Sequence, residues 1–321
     1  MSIRGLASFG LKAAISIALL YFALNGVNWT EASARLAKAS PPWLGLMVAL
    51  LLVQAALAAL RWREFARLGD IELPAILAFR FTMIGAFFSQ TLPSTVGGDA
   101  VRILMLARKG AGWRAATFSV LNDRIAGVTA LAALVIVCLP KTLTLVTDPT
   151  GQIALLLIGF GSMAGLCVYL AIGKIRWEPL TRFWIFRQLA ESAGIAFRLF
   201  ASPRASIAVT SLSILIHLLT VSAAWCAAQA IGAPVDFLHT LLLIPPVILI
   251  ATVPISIAGW GVRESAMAIA FGYAGLAQAD GLVISLLFGA ATFAIGLIGG
   301  LLWIIDANSL KDVTAPHIRK V

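Results

Sequence analysis

Apolar residues in this chain come in long runs broken by short clusters of charge, Pro and Gly. Runs approaching about 20 residues, the length at which a helix crosses a bilayer, occupy 6–24, 43–60, 73–92, 115–140, 153–173, 206–231, 236–253 and 280–305. A shorter run, 265–277, cannot span by itself. The pattern predicts an all-α polytopic helical membrane protein. Segment 29–39 alternates charged and apolar residues, with Thr30 as N-cap and Pro41-Pro42 closing it, and predicts a short interfacial helix. Segment 176–204 interleaves Trp177, Phe183, Trp184, Phe186, Phe197 and Phe200 with acidic and basic residues, as does a helix lying on a membrane surface.

Composition agrees. Hydrophobic residues make up 60% of the chain and charged residues 12%, about half the share a soluble domain carries. Residues 1–321 therefore read as one transmembrane domain with no soluble domain. A net charge of +10 would suggest nucleic acid for a soluble protein. Here Lys and Arg cluster at the ends of apolar runs, which points to anionic lipid headgroups and not to a nucleic-acid partner. Cys138, Cys167 and Cys226 lie inside apolar runs without metal-ligand spacing and read as buried packing thiols. No P-loop, HExxH or dinucleotide fingerprint occurs, so neither cofactor nor metal is expected. The first run, with Arg4 and Lys12 but no A-x-A-like site immediately after it, reads as a retained helix rather than a cleaved signal.

Loop Lys and Arg face the cytoplasm when loops are short. If all eight long runs spanned, the basic loops 93–114 and 174–205 would face outward. The conflict disappears if 73–92 enters from the cytoplasm and returns through about 100–110, while 236–253 enters from outside and returns through 265–277. That arrangement has about six full spans, two re-entrant helical hairpins of opposite orientation and both termini cytoplasmic. Of the loop Lys and Arg, only Arg35, Lys38, Lys141 and Arg263 then lie elsewhere.

The two hairpin turns also resemble each other. Pro93-Ser94-Thr95-Val96-Gly97-Gly98-Asp99-Ala100-Val101-Arg102 aligns without gaps on Pro254-Ile255-Ser256-Ile257-Ala258-Gly259-Trp260-Gly261-Val262-Arg263, with Pro, Gly, Val and Arg coinciding. Charge counts and alignment together predict an inverted repeat with halves of about 1–160 and 161–321, its broken helices meeting near the midplane. In each turn Pro ends the incoming helix and Gly lets backbone amides turn toward a ligand. A returning helix starting near Asp99 or Trp260 would offer its amides and the following Arg102 or Arg263 to an anion such as a phosphate. The competing reading is a tight loop whose Arg snorkels to the interface.

Charges inside apolar runs are costly unless paired or hydrated. They are Arg80, Asp123-Arg124 after Asn122, and Arg263-Glu264. Arg102 or Arg80 is expected to pair with Asp123 or Asp99, leaving one Arg for a substrate. His217, a turn from Thr220, reads as a hydrogen-bonded packing residue or a proton relay. Gly296, Gly299 and Gly300 read as a close helix contact.

These motifs carry a resemblance. The Pro93-x-x-x-Gly97-Gly98-Asp99-x-x-Arg102 turn, the Asp123-Arg124 pair and the Gly259-x-Gly261-x-Arg263-Glu264 turn resemble the lysylphosphatidylglycerol synthase transmembrane region, also described as a flippase-like membrane family. The resemblance implies a domain that moves or holds a phospholipid or polyprenyl-type lipid, in a bacterial inner membrane, sometimes fused to a soluble aminoacyltransferase. The stretch after the last span is too short for that domain, so lysyl transfer is not carried over. Stand-alone members are linked to hopanoid or other envelope-lipid pathways. The implied headgroup site is Arg102, Arg263, Gly97, Gly98, Asp99, Gly259, Gly261 and Glu264, supported by Arg80, Asp123, Arg124, Pro93 and Pro254. Three functions compete: a lipid translocator, a membrane-embedded lipid-phosphate transferase using Asp99 or Asp123 as base, and a non-transporting scaffold for a membrane or soluble envelope enzyme.

Overall fold

The computed structural model describes residues 35–92, 96–174, 183–253 and 259–314, with Ala14, Ala18, Tyr21, Ser33 and Ser256 as single positions. Its regular elements are α1 (Pro41–Leu68), α2 (Ala75–Thr91), α3 (Gly97–Leu106), α4 (Trp113–Leu145), α5 (Pro149–Lys174), α6 (Trp184–Ala201), α7 (Pro203–Ala230), α8 (Phe237–Ala251), α9 (Val262–Tyr273) and α10 (Gln278–Thr314). No strand occurs among the described residues. Nearly all of the run at 6–24, half of segment 29–39, Trp177, Pro93 and Pro254 lie outside them.

Among the described residues, α1, α4, α5, α7 and α10 are long and apolar enough to cross a membrane. Helices α2 and α8 are not: 17 and 15 residues give about 25 Å and about 22 Å, short of a hydrocarbon core of about 30 Å. Each is followed by a short helix packed back against it, α3 after α2 and α9 after α8. The returning helices start at Gly97 and Val262, each two residues from the expected Asp99 and Trp260.

Contacts between helix termini define two ends of the bundle. At one end Ser40 N donates to Ala230 O at 2.8 Å, Arg35 pairs with Asp280 at 2.6 Å, and Gly151 packs against Tyr273. At the other, Arg198 donates to Leu68 O at 3.0 Å, Arg114 donates to Gln188 at 3.3 Å, and Lys174 Nζ lies over the Phe197 ring. Hairpin α2–α3 opens toward the second end, because α2 follows α1 there and α3 leads through a π turn, Ala107–Ala111, into the start of α4. Hairpin α8–α9 opens toward the first, beside Ala230, Tyr273 and Gln278.

Close approach rather than unusual dihedrals explains the first glycine pair. Gly97 and Gly98 are helical, and a Cβ at Gly98 would collide with Gly85 O and Ser89 Oγ of α2. The turning role expected of them belongs instead to Gly259 (φ 80°) and Gly261 (φ 85°) in the second hairpin. The expected close contact on α10 is present. A Cβ at Gly299 would overlap Met83 O, and Gly300 faces the Phe87 ring.

Helix α6 has the amphipathic character read from the sequence. Phe183, Trp184 and Phe200 are exposed, while Ala193, Ile195 and Ala196 are buried. It is tied beneath by polar contacts: Asn122 Nδ2 donates to Ser192 O and Oγ, both at 3.0 Å, and Tyr169 OH donates to Ser192 Oγ at 2.9 Å. Of the three cysteines, which all carry free thiols, only Cys226 is buried; Cys138 is half-buried and Cys167 exposed on an outer helix face. An apolar run in lipid need not face the protein interior, which is why that expectation fails at Cys167.

Candidate functional site

Five charged side chains from three helices meet where α3 packs on α1 and α4. Asp123 accepts from Arg61 Nε through Oδ1 at 2.8 Å and from Arg102 Nη2 through Oδ2 at 3.1 Å. Asp99, one turn before Arg102 on α3, accepts from Arg102 Nη1 at 3.3 Å and from Arg124 Nε. Arg61 Nη1 also donates to Ser213 Oγ on α7 at 3.3 Å. The Arg102 guanidinium stacks 4.1 Å above the Trp62 ring, whose Nε1 donates to Ser119 Oγ. Arg61, Asp99, Arg102 and Asp123 are buried, and the Arg124 side chain is 49% exposed. Among the described residues three guanidiniums face two carboxylates, so one positive charge is left over, and Arg102 Nε has no hydrogen-bond partner among them.

The second hairpin builds a smaller, neutral cluster. Glu264, fully buried, receives Arg263 Nη2 at 2.6 Å on Oε1 and the Gly261 amide at 2.7 Å on Oε2. Ser285 of α10 accepts from Arg263 Nε at 3.0 Å and donates to Glu264 Oε1 at 2.9 Å. Arg263 lies 5.2 Å from the Trp260 ring centroid and 5.8 Å from that of Phe288. The aligned arginines, 102 and 263, are thus both buried, both paired with a carboxylate and both set over a Trp.

The clusters sit toward opposite ends of the bundle. Arg61 and Asp123 are about 10 Å and about 15 Å of helix rise from Leu68 and Trp113; Ser285 and Arg263 are about 10 Å and about 15 Å from Gln278 and Tyr273. A cavity of about 410 Å³ opens between α4, α5, α6 and α7, lined by apolar side chains such as Ile125, Leu134, Leu166 and Ile214. Asn122 and Ser213 bring its wall to the first cluster. A second apolar cavity, about 330 Å³, lies between α5, α8 and α9, and Val262 and Ser265 bring it beside the second cluster.

The model of the family described as the lysylphosphatidylglycerol synthase TM region matches residues 10–300, which takes in both hairpins, both clusters and both cavities. The chain belongs to that family. No curated protein matches it. Membership in the lysylphosphatidylglycerol synthase transmembrane-region family, together with five long apolar helices, makes this an integral membrane protein of lipid metabolism or transport.

Of the residues singled out from sequence, Asp99, Arg102, Asp123 and Arg124 meet in one cluster, and Gly261, Arg263 and Glu264 in the other. Gly97 and Gly98 position α3 without touching a charge, and Gly259 shapes the turn before α9. Arg80 is half-buried on α2. Of the pairings left open, Arg102 holds both Asp99 and Asp123. Arg61 was missed as a site residue because the apolar run at 43–60 stops one position before it, whereas α1 continues to Leu68. Its periodicity held the signal: Arg61 lies within a helical stretch that buries Ala59, Trp62, Phe65 and Ala66. His217 accepts the packing reading, with Nε2 2.9 Å from Gly127 O.

Proposed function

We propose that this protein translocates a lipid with an anionic headgroup, holding the headgroup beside the Asp99–Arg102–Asp123–Arg124 cluster and the tails in the adjoining cavity. One observation carries the reading: a lateral apolar cavity of about 410 Å³ shares its wall with a buried cluster that has an arginine in excess. The cavity falls within the size range of ligand sites, and Arg124 is the guanidinium exposed enough to meet a phosphate. The second cavity and neutral cluster at the other end would serve the opposite leaflet, a phosphate leaving the charged cluster for one that does not retain it.

In this reading the end carrying α6 faces the cytoplasm of a bacterial inner membrane, with both termini there. Arg67, Arg108, Lys109, Arg114, Lys174, Arg187 and Arg198 all lie at that end, as the positive-inside rule requires. The two hairpins are re-entrant and form the cores of an inverted repeat, with six spans once the run at 6–24 is included. Spans of 26 to 33 residues are about 39–50 Å long, so clusters about 10–15 Å from the helix ends lie nearer the two headgroup planes than the midplane.

The test is headgroup accessibility in liposomes, using a fluorescent phospholipid panel and an impermeant quencher. Faster transbilayer movement of an anionic lipid is expected, falling about ten-fold in Arg124→Gln, the loss expected for one charge-assisted hydrogen bond, and abolished in Arg102→Ala/Arg263→Ala. Correctly folded protein that accelerates no lipid sinks the proposal and leaves the scaffold and transferase readings.

A further inference from the structure

Beyond the clusters, a cleft of about 560 Å³ lies between the starts of α4 and α6, where Trp113, Arg114, Thr117, Trp184, Arg187 and Gln188 line it. We propose that it binds the phosphate of an anionic phospholipid in the leaflet at the α6 end, as a site separate from the transport path.

The lining divides by chemistry. Trp113 and Trp184 are exposed at the rim, and indole, an apolar body with one N–H, favours the headgroup level of a bilayer. The polar lining is basic and amide, with the Thr117 hydroxyl, which donates to Trp113 O. Arg114 is already engaged by Gln188 Oε1 at 3.3 Å and by Glu191. Arg187 is exposed, and no described side chain pairs with it. An unspent guanidinium beside a second arginine, under two tryptophans, suits a phosphodiester whose acyl chains continue into the bilayer. Neither α4 nor α6 carries an acidic residue in its first turn or a side-chain cap, so the positive ends of both helix dipoles add to the field in the cleft.

The site is distinct from the cavity proposed for the transported lipid. On α4, residues 113–121 line the cleft and 122–137 line the cavity. The Asn122–Ser192 contact, where α6 crosses α4, stands between them. A lipid held in the cleft would therefore load α6 on one side of that crossing while the cavity opens on the other.

Native mass spectrometry of protein in micelles containing both phosphatidylglycerol and phosphatidylcholine reads the site directly. Retention of phosphatidylglycerol over phosphatidylcholine is expected, weakened about five-fold by Arg187→Gln, the effect of one basic side chain at an anionic surface. Thr117→Trp, which fills the cleft and keeps every charge, should weaken it similarly. Arg67→Gln, an exposed arginine at the same end paired with Glu64, should leave retention unchanged, and inorganic phosphate should not displace the lipid. Equal retention by the wild type and both cleft variants overturns the proposal. So does an equal loss in Arg67→Gln, which would mean general surface charge, or displacement by phosphate alone, which would mean a free-anion site.

Discussion

Asp123 accepts from Arg61 through one oxygen and from Arg102 through the other, so neutralising it takes the paired carboxylate from buried Arg61 and one of two from buried Arg102. Breaking a buried pair in this way costs about 3–5 kcal/mol, and Asp123→Asn should lower the melting temperature in detergent far more than Arg124→Gln. Removing partners together is less damaging than removing one, so Arg61→Met/Asp123→Leu should melt above Asp123→Leu alone. Glycines give a second contrast. Gly98→Ala forces a methyl into Gly85 O, whereas Gly161 faces open space; overpacking predicts a cost of about 1–3 kcal/mol for the first and almost none for Gly161→Ala. Asp123 and Arg124 were legible from sequence because charges inside apolar runs demand partners, and Asp99 and Arg102 because the Gly-rich turn carries them; Arg61, one position past its run, was not. The pairing was not either, since it depends on how α1, α3 and α4 cross.

At the scale of elements, the two hairpins were foreseen from loop charge and the repeated turn, while the glycines within them divide labour in a way spacing does not reveal. Gly97 and Gly98 permit contact, and Gly259 and Gly261 permit rotation. The start of α8 offers a test that depends on pH. Asp236 caps it, accepting the His239 amide at 2.8 Å, and that hydrogen bond holds its carboxyl below the usual carboxylate value. A carboxyl with a lowered folded pKa stabilises above its unfolded value of about 3.9 and loses that contribution as pH falls through the folded value. Amide exchange in the first turn of α8, taken relative to the intrinsic rate at each pH, should therefore rise as pH drops below about 4. In Asp236→Ala it should be high already at neutral pH. At α6, Ser192→Ala removes the hydroxyl met by Asn122 and Tyr169, and faster exchange along Trp184–Ala201 is the expected readout.

For the whole molecule, loop charge predicts an orientation, and Arg67, Arg108, Lys109, Arg114, Lys174, Arg187 and Arg198 gather at one end of the bundle. The cavities were not legible, because each is a gap among helices distant in sequence. Orientation is testable with single cysteines in a background lacking the native three. Asp70→Cys, at the α6 end, should react with an impermeant maleimide only from the cytoplasmic side, and Lys38→Cys, at the other end, only from outside.

Helix α10 touches both hairpins. Near its start Gly281 leaves no room for a side chain beside Met267 O of α9, Gly289 lies against Trp260, and further along Gly299 meets Met83 of α2 while Trp303 packs edge-on against Phe88, 5.3 Å between ring centroids. Backbone-to-backbone seats of this kind do not slide without a clash. The two hairpins are thus bolted to one helix, and any change in their spacing must carry α10 with it.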